Sequence, residues 1–243
     1  SQAINLTKGL TGVSAMAKAD DIPLLVCDMG IKQDVPESFL TDDIHAAIRL
    51  NKKILQFKLH DGTNNIAIEP AMEKKEALLM IIAGYLATEF FITKERANIM
   101  GIGNITTSSC LLSAMTGESA EAVAGRGGGL NDMGLELKRE ATKRIVASFN
   151  DKYEEKERET LDYYIDMLAS MGGYDICGMV GAYLASSVYR TPVVIAGFIA
   201  SVAALLSQRL YDAVQNEKGS GFGVPDIKDE KSTKEPAIDE KEM

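Results

Sequence analysis

At 243 residues, 46% of them apolar and 25% charged, the chain can bury one sizeable core and is not a disordered sequence. A formal net charge of −9 excludes a protein built to grip nucleic acid, because phosphate contacts need an excess of Lys and Arg. Three cysteines without metal-type spacing and only two histidines predict reduced, buried thiols, no metal site, no bound cofactor and no His-based triad.

In chain order, residues 4–19 carry apolar residues at helical spacing (Ile4, Leu6, Leu10, Val13, Met16), with Gly9 and Gly12 allowing close packing. Leu24-Leu25-Val26-Cys27 reads as a buried strand ending in Asp28-Met29-Gly30, an acid and a glycine where open α/β sheets place their ligands. A turn-capping role for Asp28 is the plainer reading. Ile54–Leu59 alternates apolar and polar residues, which predicts a half-exposed edge strand or a hairpin arm. His60 then reads as a turn residue. A long helix follows Met72, with a predicted stripe of Ala77, Leu78, Ile81, Ile82, Tyr85 and Leu86.

The stretch Ala97–Asn104 reads as a short strand turning through Gly101 and Gly103 into a helix that includes Ser109–Met115. Glycines let the backbone come close to a ligand, and helix-start amides with Thr106 and Thr107 beside them favour an anion. A second short helix over 120–124 stops at Gly125. Arg126-Gly127-Gly128-Gly129-Leu130-Asn131 is the most glycine-dense stretch of the chain, either a flexible linker or backbone held close to a ligand. The helix after it, with Asp132 as predicted N-cap, buries Leu135, Ile145, Val146 and Phe149 and carries Lys138 on the same face. A lysine there, near the positive end of a helix dipole, is unfavourable unless it meets an anion or snorkels.

Residues 151–169 read as a charged helix broken by Gly172-Gly173. The helix over 174–189 has small residues at Gly178, Gly181, Ala182 and Ala185, a face suited to close contact with another helix. Strand Val193–Ala196, ending at Gly197-Phe198, opens a second strand–glycine–helix unit, with Ser201 the predicted cap of a helix over 202–214 and a second potential anion seat. From residue 217 the chain turns polar and charged, and predicts a disordered tail. No apolar run reaches the ~18 continuous residues of a membrane span, and no signal peptide is visible at the start. A cytoplasmic protein is expected.

These motifs resemble the nicotinate-nucleotide:dimethylbenzimidazole phosphoribosyltransferases of cobamide assembly. The resemblance rests on Gly62–Met72 (G-T-x-N-x-A-x-x-P-A-M), Met100–Thr106 (M-G-I-G-N-x-T), Gly125–Lys138 (G-R-G-x-G-L-x-D-x-G-L-x-x-K), Gly172–Gly181 and Pro192–Leu205. It implies an α/β fold with a mainly parallel sheet flanked by helices, the family's Rossmann-like large domain with its small domain largely missing. That domain would occupy residues 1–216, with the tail over 217–243.

The resemblance also implies transfer of the phosphoribosyl group of nicotinate mononucleotide to a base or phenol, and a homodimer or a heterodimer with a homologous subunit. Carried over position by position, Gly101, Gly103, Asn104, Thr106, Gly125, Gly127, Lys138 and Ser201 would bind nucleotide and phosphate. The departures concern catalysis. Ile99 stands where the family has a glutamate, Ile105 where it has a threonine, Asp175 where it has a glutamate, and the family's C-terminal G-E-G segment finds no match. Three readings stay open: a transferase using water or Asp28 as base, a non-catalytic subunit paired with an active homologue, or a shortened sequence.

Overall fold

The computed structural model describes residues 2–50, 53–94, 99–100 and 105–218. Two short helices come first, α1 (Gln2–Thr7) and α2 (Gly12–Ala19). The sequence predicted one helix here. Gly9 ends α1 in the left-handed region at φ +72°, and Thr11 restarts the chain with a reciprocal cap, its hydroxyl accepting from Ser14 N while Ser14 Oγ accepts from Thr11 N.

Strands β1 (Val26–Asp28), β2 (Leu40–Thr41) and β3 (Ile54–Gln56), with α3 (Ile44–Leu50) before β3, form a parallel sheet in the order β1-β3-β2. β3 is therefore the central strand and not an edge or a hairpin arm. Ile54 and Leu55 are both buried, so the predicted alternation was misleading: the strand ends at Gln56, before Lys58 could count.

The remaining elements are α4 (Lys74–Lys94), β4 (Ile99–Met100), α5 (Ile105–Thr116), α6 (Ala120–Val123), α7 (Asp132–Asn150), α8 (Leu161–Met171), α9 (Tyr174–Val188), β5 (Ile195–Ala196) and α10 (Phe198–Lys218). β4 and β5 pair in parallel, Ile99 opposite Ile195 and Met100 opposite Ala196. The expected α/β class with parallel strands and flanking helices is what the chain adopts. The charged stretch after α7 is a turn and a single 3₁₀ turn, and α8 begins only at Leu161, capped by Thr160. The last helix runs past the expected boundary of the tail: Glu217 still belongs to α10 and accepts from Leu161 N at 3.0 Å. Residues 219–243, on which the rest of the predicted tail falls, lie outside the described residues.

The core is built by α8, α9, α10 and α5, around Leu111, Met167, Leu168, Ile176, Val180 and Leu206. α4 packs on α9 through a seam with no room for side chains. A Cβ added to Gly84 would lie 2.0 Å from Gly178 O, and one added to Gly181 would lie 1.9 Å from Ile81 O. The small-residue face expected on α9 is thus matched by a glycine on α4. This seam also explains a difference on α4: the buried face is Ala77, Met80, Gly84, Ala87 and Phe91, while Leu78, Ile82 and Leu86 of the predicted stripe are exposed. Among the described residues no helix is long and apolar enough to cross a membrane.

Candidate functional site

Parallel pairing of β4 with β5 decides where the site can be. Each strand leads into a helix, β4 toward α5 and β5 through Gly197 (φ +87°) into α10. The two helices therefore start near each other at the carboxyl ends of the strands, where their unpaired amides and positive dipole ends favour an anion. Gly101, Gly103 and Asn104, the expected turn residues between β4 and α5, lie outside the described residues. Thr106 stands half-buried in the first turn of α5. Ser201 is not the cap of α10: the helix begins at Phe198, and Ser201 Oγ donates to Gly197 O at 2.9 Å within its first turn. Its side chain is exposed. The helix starts four residues early because Gly197 can adopt the left-handed turn that frees Phe198 to become helical.

The glycine loop between α6 and α7 is fixed from several sides. Ser109 Oγ lies 2.9 Å from Ile105 O and 3.2 Å from Val123 O, so one buried hydroxyl ties the end of α6 to the first turn of α5. Gly127 adopts φ +56°, and a Cβ there would come within 3.1 Å of Ile105 Cδ1. Ile105, standing where the resembling family has threonine, thus packs against the loop. Gly125 and Gly128 are different. Neither has a left-handed φ, and among the described residues a Cβ on either would meet nothing within 4 Å. Packing against the described residues does not require glycine at these two positions.

The N-cap of α7 is Asn131, one residue before the predicted Asp132: Asn131 Oδ1 accepts from Gly134 N at 2.8 Å. Replacing Asn131 by Ala should lower stability by about 1 kcal/mol, read by urea denaturation, because the first turn loses its capping acceptor.

Lys138 lies on the buried face of α7 with Leu135, Thr142, Val146 and Phe149, and is only 7% exposed. Its Nζ donates to Gly125 O at 3.0 Å. No carboxylate is paired with it among the described residues. Burial pushes its pKa below the ordinary lysine value, with a small opposing effect from Cys110. The Cys110 thiol is itself pushed up to about 11 by burial, which Thr142 and the Lys138 charge only partly offset. The sequence placed Lys138 inward beside the loop, and the structure puts it there.

Other candidates have structural work. Asp28 is buried, and its Oδ1 accepts from Gly30 N at 2.9 Å and Ile31 N at 2.7 Å, so its carboxylate closes the turn after β1. His60 is an exposed turn residue whose Nε2 lies 2.7 Å from Glu76 Oε1. The three cysteines are free thiols: Cys110 and Cys177 are buried and Cys27 is half-buried. Sequence reasoning missed Arg126 and Asp132, which pair across the glycine loop. An arginine and an aspartate six residues apart are not by themselves a signal of pairing, which depends on the bend at Gly127 and Gly129.

The architecture is that of an α/β protein whose paired parallel strands β4 and β5 lead into helix N-termini at their carboxyl ends. Residues 1–217 match the family model described as Phosphoribosyltransferase (DBI_PRT), and the chain belongs to that family. It is 36% identical over 220 residues to a nicotinate-nucleotide–dimethylbenzimidazole phosphoribosyltransferase of Clostridium perfringens, covering 88% of this chain and 54% of the relative. The enzyme of that name from Acetivibrio thermocellus is 32% identical over 217 residues, covering 87% and 55%. The crystal structure of CobT from Thermus thermophilus superposes with a TM-score of 0.71 at 28% identity, covering 88% of this chain and 59% of that one. The chain thus spans just over half the length of the relatives it matches.

Proposed function

We propose that this chain binds nicotinate mononucleotide and serves the transfer of its phosphoribosyl group to the base that becomes the lower ligand of a cobamide. The observation that carries the reading is Lys138, a buried ammonium whose hydrogen-bond partner among the described residues is the carbonyl at the head of a glycine loop. A buried cation without a counter-ion is costly, and a phosphate monoester would supply the missing charge. The open sides of Gly125 and Gly128 leave the room such a group needs. The names of the relatives support the choice of nucleotide.

In the reaction the C1′–N bond to nicotinate breaks with its electrons leaving on nicotinate. The acceptor atom, a ring nitrogen of the base or the oxygen of a phenol, forms the new bond to C1′ and gives up its proton. The sugar passes through an oxocarbenium-like state, and holding the 5′-phosphate fixes C1′ against the acceptor, which is the contribution this site would make. Calorimetry with nicotinate mononucleotide tests the seat, and turnover with dimethylbenzimidazole or phenol tests the transfer. Absence of any heat of binding would sink the seat.

A non-catalytic subunit that stabilises a homologous partner is the second reading. It is favoured by the exposed apolar stripe Leu78, Ile82 and Leu86 on α4. Turnover that appears only when a longer homologue is added would select it.

A further inference from the structure

The ion pair that the sequence did not reveal spans the glycine loop. Arg126 Nη1 donates to Leu130 O at 3.0 Å, and its Nη2 contacts Asp132 Oδ1. The backbone closes the same ring, with Gly129 N and Leu130 N donating to Arg126 O at 3.4 and 3.2 Å. One residue therefore holds both ends of a loop containing two left-handed glycines, Gly127 and Gly129. Both partners of the ion pair stand in solvent, the Arg126 side chain 53% and the Asp132 side chain 91% exposed. Exposed pairs of this kind contribute little to stability and separate readily.

We propose that Arg126 is an anion-exchanging clasp, in which Asp132 occupies the guanidinium until a phosphate monoester enters the loop and takes it over. The inference rests on the reading of this loop as a phosphate seat and adds a second cation to it. A monoester carries close to two negative charges at neutral pH, and Lys138 supplies one positive charge. A guanidinium fork fits phosphate as well as carboxylate, so the doubly charged ligand displaces the singly charged aspartate. Arg126 directly follows Gly125, whose carbonyl accepts from Lys138, while its guanidinium spans the loop to Leu130 O and Asp132. Asp132 is then an internal competitor for the substrate's phosphate.

The test is calorimetry on the full chain with nicotinate mononucleotide and with inorganic phosphate, comparing the parent, Asp132→Asn, Arg126→Gln and the double variant. Asp132→Asn should bind either anion roughly 2- to 5-fold more tightly, as expected from removing a weak exposed competitor. Arg126→Gln should bind roughly 30-fold more weakly and with a shallower salt dependence, as loss of one charged partner implies. In the Arg126→Gln background, Asp132→Asn should give no further gain.

A pair that only staples the loop gives the opposite sign, because Asp132→Asn would then loosen the seat and weaken binding. An equal gain with and without Arg126 would show Asp132 acting only as a nearby charge. Either result overturns the clasp while leaving the seat intact. No binding by the parent chain, with Lys138 replaceable at no cost, overturns the seat and the clasp together.

Discussion

Gly181→Ala should cost about 3 kcal/mol or more, a large part of the ~5–15 kcal/mol that holds a domain folded. The new methyl would lie 1.9 Å from Ile81 O and 2.7 Å from Tyr85 N, both backbone atoms of α4. A flexible side chain could move aside, but the backbone of a 21-residue helix cannot. The two helices must separate along the seam, and contacts on both sides of Gly181 are lost with them. Ordinary overpacking costs about 1–3 kcal/mol, and this contact is worse because neither neighbour can rotate away. Against it stands alanine's higher helix propensity, about 1 kcal/mol.

Gly12→Ala provides the control. Gly12 opens α2, has no left-handed φ, and among the described residues a Cβ there would meet nothing within 4 Å. That change should be neutral or stabilise by up to about 1 kcal/mol, through the unfolded chain. Urea denaturation of the two variants beside the parent decides the matter. A Gly181→Ala midpoint equal to that of Gly12→Ala would mean that α4 and α9 do not meet as closely as described.

What could be read from the sequence follows from how local each signal is. The small face of α9 was legible because four small residues at helical spacing have few other uses. Its partner on α4 was not, because Gly84 is a lone glycine among large apolar residues that all fit a buried stripe. Only the seam shows that the face with the glycine is inside and that Leu78, Ile82 and Leu86 are outside. β3 was misplaced for a similar reason: three residues are too few to show a period, and centrality depends on strands elsewhere in the chain. The α10 start was missed because a serine ahead of an apolar run resembles a cap, although Gly197 had already turned the chain.

At the site, glycine spacing and an inward lysine were enough to place Lys138 beside the loop, where it meets Gly125. The pairing of Arg126 with Asp132 needed the loop's shape, since only the bend at Gly127 and Gly129 brings them within reach.

Lys138→Met should remove phosphate binding while leaving the fold nearly as stable as before. In the free protein the charge is a burden: burial lowers the Lys138 pKa below the ordinary 10.5, so the folded chain holds that proton less tightly than the unfolded one. Between the lowered folded value and 10.5 the unfolded state binds more protons, so stability rises with pH across that window. Methionine fills similar space without the charge. It forfeits the bond to Gly125 O, but Gly125 is exposed and water can replace the donor. The net change in stability should be within about 1 kcal/mol, and the alkaline rise should vanish.

Binding should respond quite differently. Removing one member of a buried charged pair costs about 2–5 kcal/mol, which is roughly 30- to several thousand-fold in affinity for nicotinate mononucleotide. For the parent, affinity should hold while the phosphate is doubly charged and Lys138 protonated. It should then fall as pH rises through the lowered Lys138 value, sooner than an ordinary lysine would allow. Calorimetry across that alkaline range, with thermal unfolding of both proteins alongside, separates the possibilities. Equal affinity in parent and variant would place the phosphate elsewhere, and a variant that fails to fold would make Lys138 a residue of the core.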